Sequence, residues 1–136
     1  MNRWILKTDS DVYPFDQLER EGRAVWDGVS NPVALKHMRG MAPGDPLLIY
    51  HSGAIKELVG LARVSRAAYP DPKNPNPKLV VVDIEAAQRL PHTVTLAAIK
   101  ADPEFAELGL VRTPRLSVMP APEAQWNKLL RMAGVS

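Results

Sequence analysis

The chain has 136 residues, a formal charge of only +2 and no cysteine. Such a length suits a single domain spanning 1–136 and can bury a core without covalent staples. The absence of thiols excludes disulfides, thiolate metal sites and cysteine nucleophiles. So small a charge argues against gripping long duplex through many phosphates, since each contact usually takes a Lys or Arg. A footprint of one or a few nucleotides fits the charge, as does an ordinary, slightly basic domain.

The opening Met1-Asn2-Arg3-Trp4-Ile5-Leu6-Lys7 lacks the long apolar run of a signal peptide, and no stretch approaches a membrane span. The expectation is a cytoplasmic monomer without a membrane partner, with association with the nucleoid left open. Trp4 to Thr8 reads as a strand, with Trp4 and Leu6 on one face and Ile5 and Lys7 on the other. Tyr13-Pro14-Phe15 leads into a short helix through Leu18 to Glu21, and Gly22 supplies the positive φ that stops it. Trp26-Asp27-Gly28 places an aromatic ring immediately before a tight turn. Asn31-Pro32 is a helix start, with Asn as N-cap and Pro at the first helical position.

Pro43-Gly44-Asp45-Pro46 is a turn, and Leu47-Leu48-Ile49-Tyr50 after it reads as a buried strand. Leu58 to Arg66 is another strand, where Gly60 marks a bulge or a close approach. The proline-rich run from Tyr69 to Pro77 cannot be regular structure and is a loop between two strands. Leu79 to Glu85 is rich in β-branched residues and is the strongest strand. Thr95 caps a short helix through Lys100, and Arg115-Leu116-Ser117-Val118 is a short final strand. Pro122 starts the last helix, on which Trp126, Leu129, Leu130 and Ala133 share one face. Five or six strands in mixed order with three or four short helices predict an α+β fold around a small, strongly curved sheet or barrel.

The motifs Trp4…Lys7-Thr8, Trp26-Asp27-Gly28-Val29…Asn31, Gly44-Asp45, Tyr50-His51-Ser52, Gly60 and Ala62, Ala68-Tyr69-Pro70-Asp71, Val82-Asp83 and Leu116-Ser117-Val118 together resemble an EVE domain. That family belongs to the PUA-like superfamily and is related to the YTH readers of methylated adenine. The resemblance spans essentially the whole chain. It implies a small mixed β-barrel flanked by helices, a non-catalytic binding role, and modified cytosines such as 5-methylcytosine as ligands, with no cofactor. Two departures stand out: Lys7-Thr8-Asp9-Ser10 replaces a Lys-Ser-Glu-Pro opening, and Pro32 stands where the family often has an aromatic residue.

Trp26 is the centre of the implied site, because an aromatic ring can stack on any base. A lone Trp is otherwise a core residue, as Trp4 and Trp126 are read to be. Asn31 either presents its amide to a base edge or simply caps its helix. Lys7 and Thr8 end the first strand as polar contacts or as a solvated pair. Tyr50, His51 and Ser52 end another strand, either as a second cage wall with two polar contacts or as a core-edge ring with two loop residues. Leu116, Ser117 and Val118 offer a hydroxyl between two apolar side chains; if Ser117 faces a ligand, the other two face the core. Arg112 and Arg115 are phosphate contacts or solvated arginines.

The alternative is a small enzyme, a nuclease or deacylase acting on modified nucleotides through Lys7, Thr8 and Asp9. His37, His51 and His92 have no metal-ligand spacing, adjacent His51 and Ser52 point apart in a strand, and no Gly-rich phosphate loop occurs, so no metal is expected.

Overall fold

Burial on both faces of the first strand sets the architecture. In the computed structural model, which describes residues 2–135, β1 (Trp4–Asp9) buries Trp4, Ile5 and Leu6 and then emerges towards solvent at Asp9. Both faces of its first half are covered, as a strand in the middle of a curled sheet requires. It pairs in parallel with β3 (Pro46–Ser52) and antiparallel with β6 (Val118–Pro120). The order across the six-stranded sheet is β2 (Arg23–Trp26), β5 (Val80–Thr95), β4 (Glu57–Pro70), β3, β1, β6.

The helices begin and end where local chemistry directs. α1 (Phe15–Glu21) stops at Gly22, whose φ is 78°. α2 (Pro32–Arg39) starts at Asn31, whose Oδ1 accepts from the Val33 and Ala34 N–H groups at 2.9 and 3.1 Å. α3 (Leu96–Lys100) is capped by Thr95, whose hydroxyl oxygen accepts from the Ala98 N–H. A single 3-10 turn (Pro103–Phe105) and α4 (Gly109–Arg112) lead back to β6. α5 (Glu123–Met132) buries Trp126 and Leu129, while Leu130 stays half-buried.

Several strands differ from the sequence reading. β4 continues past Arg66 to Pro70, and β5 runs beyond Glu85 to Thr95. The extension of β5 contains Gln88, Arg89 and Pro91, which signal a loop locally; pairing with β4 imposes the strand. β2 was not expected from its four residues and is held by antiparallel pairing of Trp26 with Val82. The final strand is Val118–Pro120 rather than 115–118, because its register follows Trp4–Leu6. The sheet is also not a closed barrel: β2 and β6 are its two edges and do not pair. Curvature comes from register shifts, four between β4 and β5 and one between β3 and β4. Each such irregularity adds local twist and bend.

Trp4 and Trp126 lie in the core as expected. The Trp4 indole N–H donates to Oδ2 of buried Asp45 at 3.0 Å, and that oxygen also accepts from the Ala42 N–H at 2.9 Å. Gly60 lies at a register shift in β4, and any Cβ there would fall 2.3 Å from the Phe15 ring. The ring of Phe15 therefore packs on bare backbone, which locks α1 to the sheet. Gly60→Ala is expected to lower stability by about 1–3 kcal/mol through overpacking, a loss that chemical denaturation of the variant will measure.

Candidate functional site

A cavity of about 500 Å³ opens between the two ends of the curled sheet. Its lining comes from Lys7, Thr8 and Asp9 of β1, Val12 and Tyr13 of the following turn, Val25 and Trp26 of β2, residues 27–29, and Ser117 before β6. Its size is within the range of small-molecule sites. Trp26 is only 8% exposed, yet it forms part of this open wall. Its ring meets Tyr13 at 83° with centroids 6.1 Å apart, so the two rings form a corner. Gly28, with φ 76°, lets the chain turn away directly after the indole.

The turn that carries Tyr13 is built by the end of β1. The Thr8 hydroxyl donates to the Tyr13 carbonyl at 2.9 Å, and the Asp9 carbonyl accepts from the Val12 and Tyr13 N–H groups, each at 2.9 Å. Oδ1 of Asp9 accepts from the Asp11 N–H at 2.8 Å. The Tyr13 hydroxyl donates to Glu21 Oε1 at 2.5 Å. Burial, then that carboxylate, holds the phenol well above its ordinary pKa, so the ring stays neutral and tethered. Tyr13 was not singled out from sequence, because nothing local distinguishes it from a loop residue preceding a helix. Asp27 was legible only as part of a turn, and Val12 gave no signal.

Lys7 combines a charge with partial burial. Its ammonium donates to the Pro114 carbonyl at 2.7 Å and lies 5.6 Å from the centre of the Tyr50 ring. Burial pushes its pKa below the usual lysine value. The cavity thus has an ammonium, the carboxylates of Asp9 and Asp27, and the hydroxyls of Thr8 and Ser117 around an aromatic corner. Such a set can satisfy both donors and acceptors on a heterocycle edge.

The structure brings together only some of the expected residues. Lys7, Thr8, Trp26 and Ser117 line the cavity; the others do not. Asn31 spends its side-chain oxygen on the α2 cap and lies outside the lining. Tyr50 is 2% exposed and packs in the core, so it underlies Lys7 rather than forming a cage wall. His51 Nε2 accepts from the Phe15 N–H at 3.0 Å and anchors α1. Ser52 accepts through its carbonyl from the Ser10 N–H at 3.4 Å, one link between β3 and the turn after β1. Leu116 and Val118 face the core, leaving Ser117 between them towards the cavity. Arg112 is ion-paired with Glu107, whereas Arg115 is exposed close to Ser117 in sequence.

The EVE domain family model matches residues 2–132, and the chain belongs to that family. A solved Rhodopseudomonas palustris protein is 40% identical and superposes with a TM-score of 0.93, covering 98% of this chain and 94% of that one. Human thymocyte nuclear protein 1 is 25% identical over 96% of this chain and 73% of its own length. The human protein's structure, solved in complex with 5-methylcytosine-containing DNA, has a TM-score of 0.89 at 21% identity, covering 100% and 99% of the two chains. A Zygosaccharomyces rouxii YTH domain, solved with N6-methyladenosine RNA, shares the fold at a TM-score of 0.62 and 13% identity, over 99% and 88%. Among the described residues, no helix is long and apolar enough to cross a membrane.

The His51 bond has a pH consequence. An imidazole whose Nε2 accepts an N–H must be neutral, and burial, the largest influence, depresses its pKa. Because the folded-state value lies below the unfolded one, the contribution is complete above about pH 6.5 and is lost as pH falls through the depressed value. His37 is shifted in the same direction by burial and Lys36. Denaturation midpoints measured from pH 7.5 down to 5 are expected to fall. In His51→Gln, which keeps an acceptor but cannot titrate, the slope will be shallower but not flat.

Proposed function

We propose that the chain binds a single modified nucleobase in DNA or RNA, a modified cytosine such as 5-methylcytosine, without turning it over. The observation that carries this reading is the open corner formed by Trp26 and Tyr13, rimmed by groups able to pair with a base edge. A base lies flat on the Trp26 indole while Tyr13 bounds it at a right angle. Stacking of this kind is worth roughly 1–3 kcal/mol per base. Lys7, Thr8, Asp27 and Ser117 satisfy the polar edge, and Arg115 meets a phosphate. That human thymocyte nuclear protein 1 was solved in complex with 5-methylcytosine-containing DNA supports the choice of ligand.

Magnitudes set the expected selectivity. Burying one methyl group contributes about 0.8 kcal/mol, roughly a factor of four. Greater discrimination needs the unmodified base to leave a void or an unpaired polar group. Modest affinity for one modified nucleotide is the expected outcome.

The test is a binding screen of the purified protein against short oligonucleotides that carry different cytosine and adenine modifications. A modified-cytosine strand is expected to bind above its unmodified control. Trp26→Ala is expected to weaken that binding at least several-fold, on the order of the stacking contribution. Trp26→Phe keeps a ring, serves as the check on folding by its thermal melt, and will retain part of the affinity. Tyr13→Leu, which removes the second wall, will weaken binding less than Trp26→Ala. If no modified strand binds better than its control, the proposal fails.

A further inference from the structure

Four large apolar side chains are conspicuously exposed among the described residues: Val12 (76%), Ile55 (66%), Val33 (51%) and Val25 (48%). Two of them, Val12 and Val25, lie on the cavity. Val25 sits on β2 beside Trp26 and is explained as wall. Val12 is different, because it is the most exposed of the four and projects from a turn that is held hard in place. The Asp9 carbonyl accepts from Val12 and Tyr13, Asp9 Oδ1 accepts from Asp11, and the Thr8 hydroxyl donates to the Tyr13 carbonyl. A rigid turn thus holds an apolar tip in water at the edge of a cavity with room for a base.

The proposed function, on which this inference rests, gives that tip a task. A base within a duplex has both faces covered by its neighbours, so it cannot also lie on Trp26. It must leave the stack, which costs a few kcal/mol in lost pairing and stacking. The vacated space then exposes apolar base faces to water. An apolar side chain inserted between base steps covers them. We infer that Val12 is a wedge that enters the gap left in a duplex when the modified base moves into the cavity.

The cavity itself carries Asp9 and Asp27 against Lys7, and exposed Asp11 adjoins Val12, so cations for the flanking phosphates must lie outside it. Gly53, in the β3–β4 connection, is close enough to Asp9 and Ser10 that an added Cβ would contact both side chains. Beyond it, Ile55, Lys56 and Lys100 line a shallow groove. The two lysines have no carboxylate partner among the described residues. In the proposed complex they are the cations offered to phosphates on either side of the opened step.

The wedge acts only on paired DNA, which separates it from a simple wall. The experiment measures binding of wild type, Val12→Ser and Val12→Leu to one 12-nucleotide sequence containing a single 5-methylcytosine, as a single strand and as a duplex. Thermal melts check that each exposed-site variant is folded. Val12→Ser is expected to lose several-fold more affinity for the duplex than for the single strand, while Val12→Leu keeps or raises duplex affinity. A 2-aminopurine beside the 5-methylcytosine will brighten on wild-type binding to the duplex and brighten less with Val12→Ser. An equal loss on both substrates makes Val12 a cavity wall and overturns the inference while leaving base binding intact. No loss on either, or a wild type that binds the single strand but not the duplex, also overturns it. If wild type binds neither substrate, the base-binding proposal itself fails and takes the wedge with it.

Discussion

The gap between β2 at one end of the sheet and the β1–β6 pair at the other is the constraint on which the remaining structure turns. Hydrogen bonding across that gap would close a barrel and fill its mouth with backbone. Instead the sheet bends through five register shifts and leaves its ends unpaired. Trp26 from one end then faces the cavity shared with Lys7 and Ser117 from the other. Bulges are the ordinary way a sheet is bent at a functional rim. The cavity is therefore a consequence of incomplete closure rather than a hollow cut into a packed core.

The same economy of partners explains the site's polar lining. Residues at the C-terminal end of β1 have left the core, since Trp4, Ile5 and Leu6 are buried and Asp9 is exposed. Their backbone and side chains build the next turn, and that turn delivers Tyr13 opposite Trp26. Glu21 on α1 fixes the Tyr13 hydroxyl, and α1 is itself fixed by Phe15 on Gly60 and by the His51 bond. Arg89 on β5 adds ion pairs to Asp16 and Glu19 of the same helix. A chain of contacts thus runs from the sheet interior to one wall of the cavity. For the ligand proposed above, which gains little from any single methyl or hydrogen bond, such preorganisation matters because ordering costs are met during folding.

Several side chains at the end of β3 and the start of α2 serve the scaffold rather than the cavity. Tyr50 and His51 look like site residues when read along the chain, because they are aromatic or titratable and end a strand. In space Tyr50 packs under Lys7 and His51 turns to the first residue of α1. Asn31 similarly completes a helix terminus whose N–H groups would otherwise lack partners.

What the sequence determined by itself is local and periodic. The Asn31-Pro32 and Thr95 helix starts, the Gly22 stop, the apolar stripe through Trp126 and Leu129, and the close approach at Gly60 all follow from backbone sterics, capping and burial within a few residues. Trp26 before a glycine turn was legible for the same reason, as was Ser117 between two core residues. The strand β2, the polar extension of β5 and the open edge of the sheet were decided only by tertiary structure, because pairing partners lie far away along the chain. Tyr13 and Val12 belong to that second class. Their positions depend on a turn nucleated by Thr8 and Asp9 and on a sheet that curls without closing, and neither condition is written in the residues beside them.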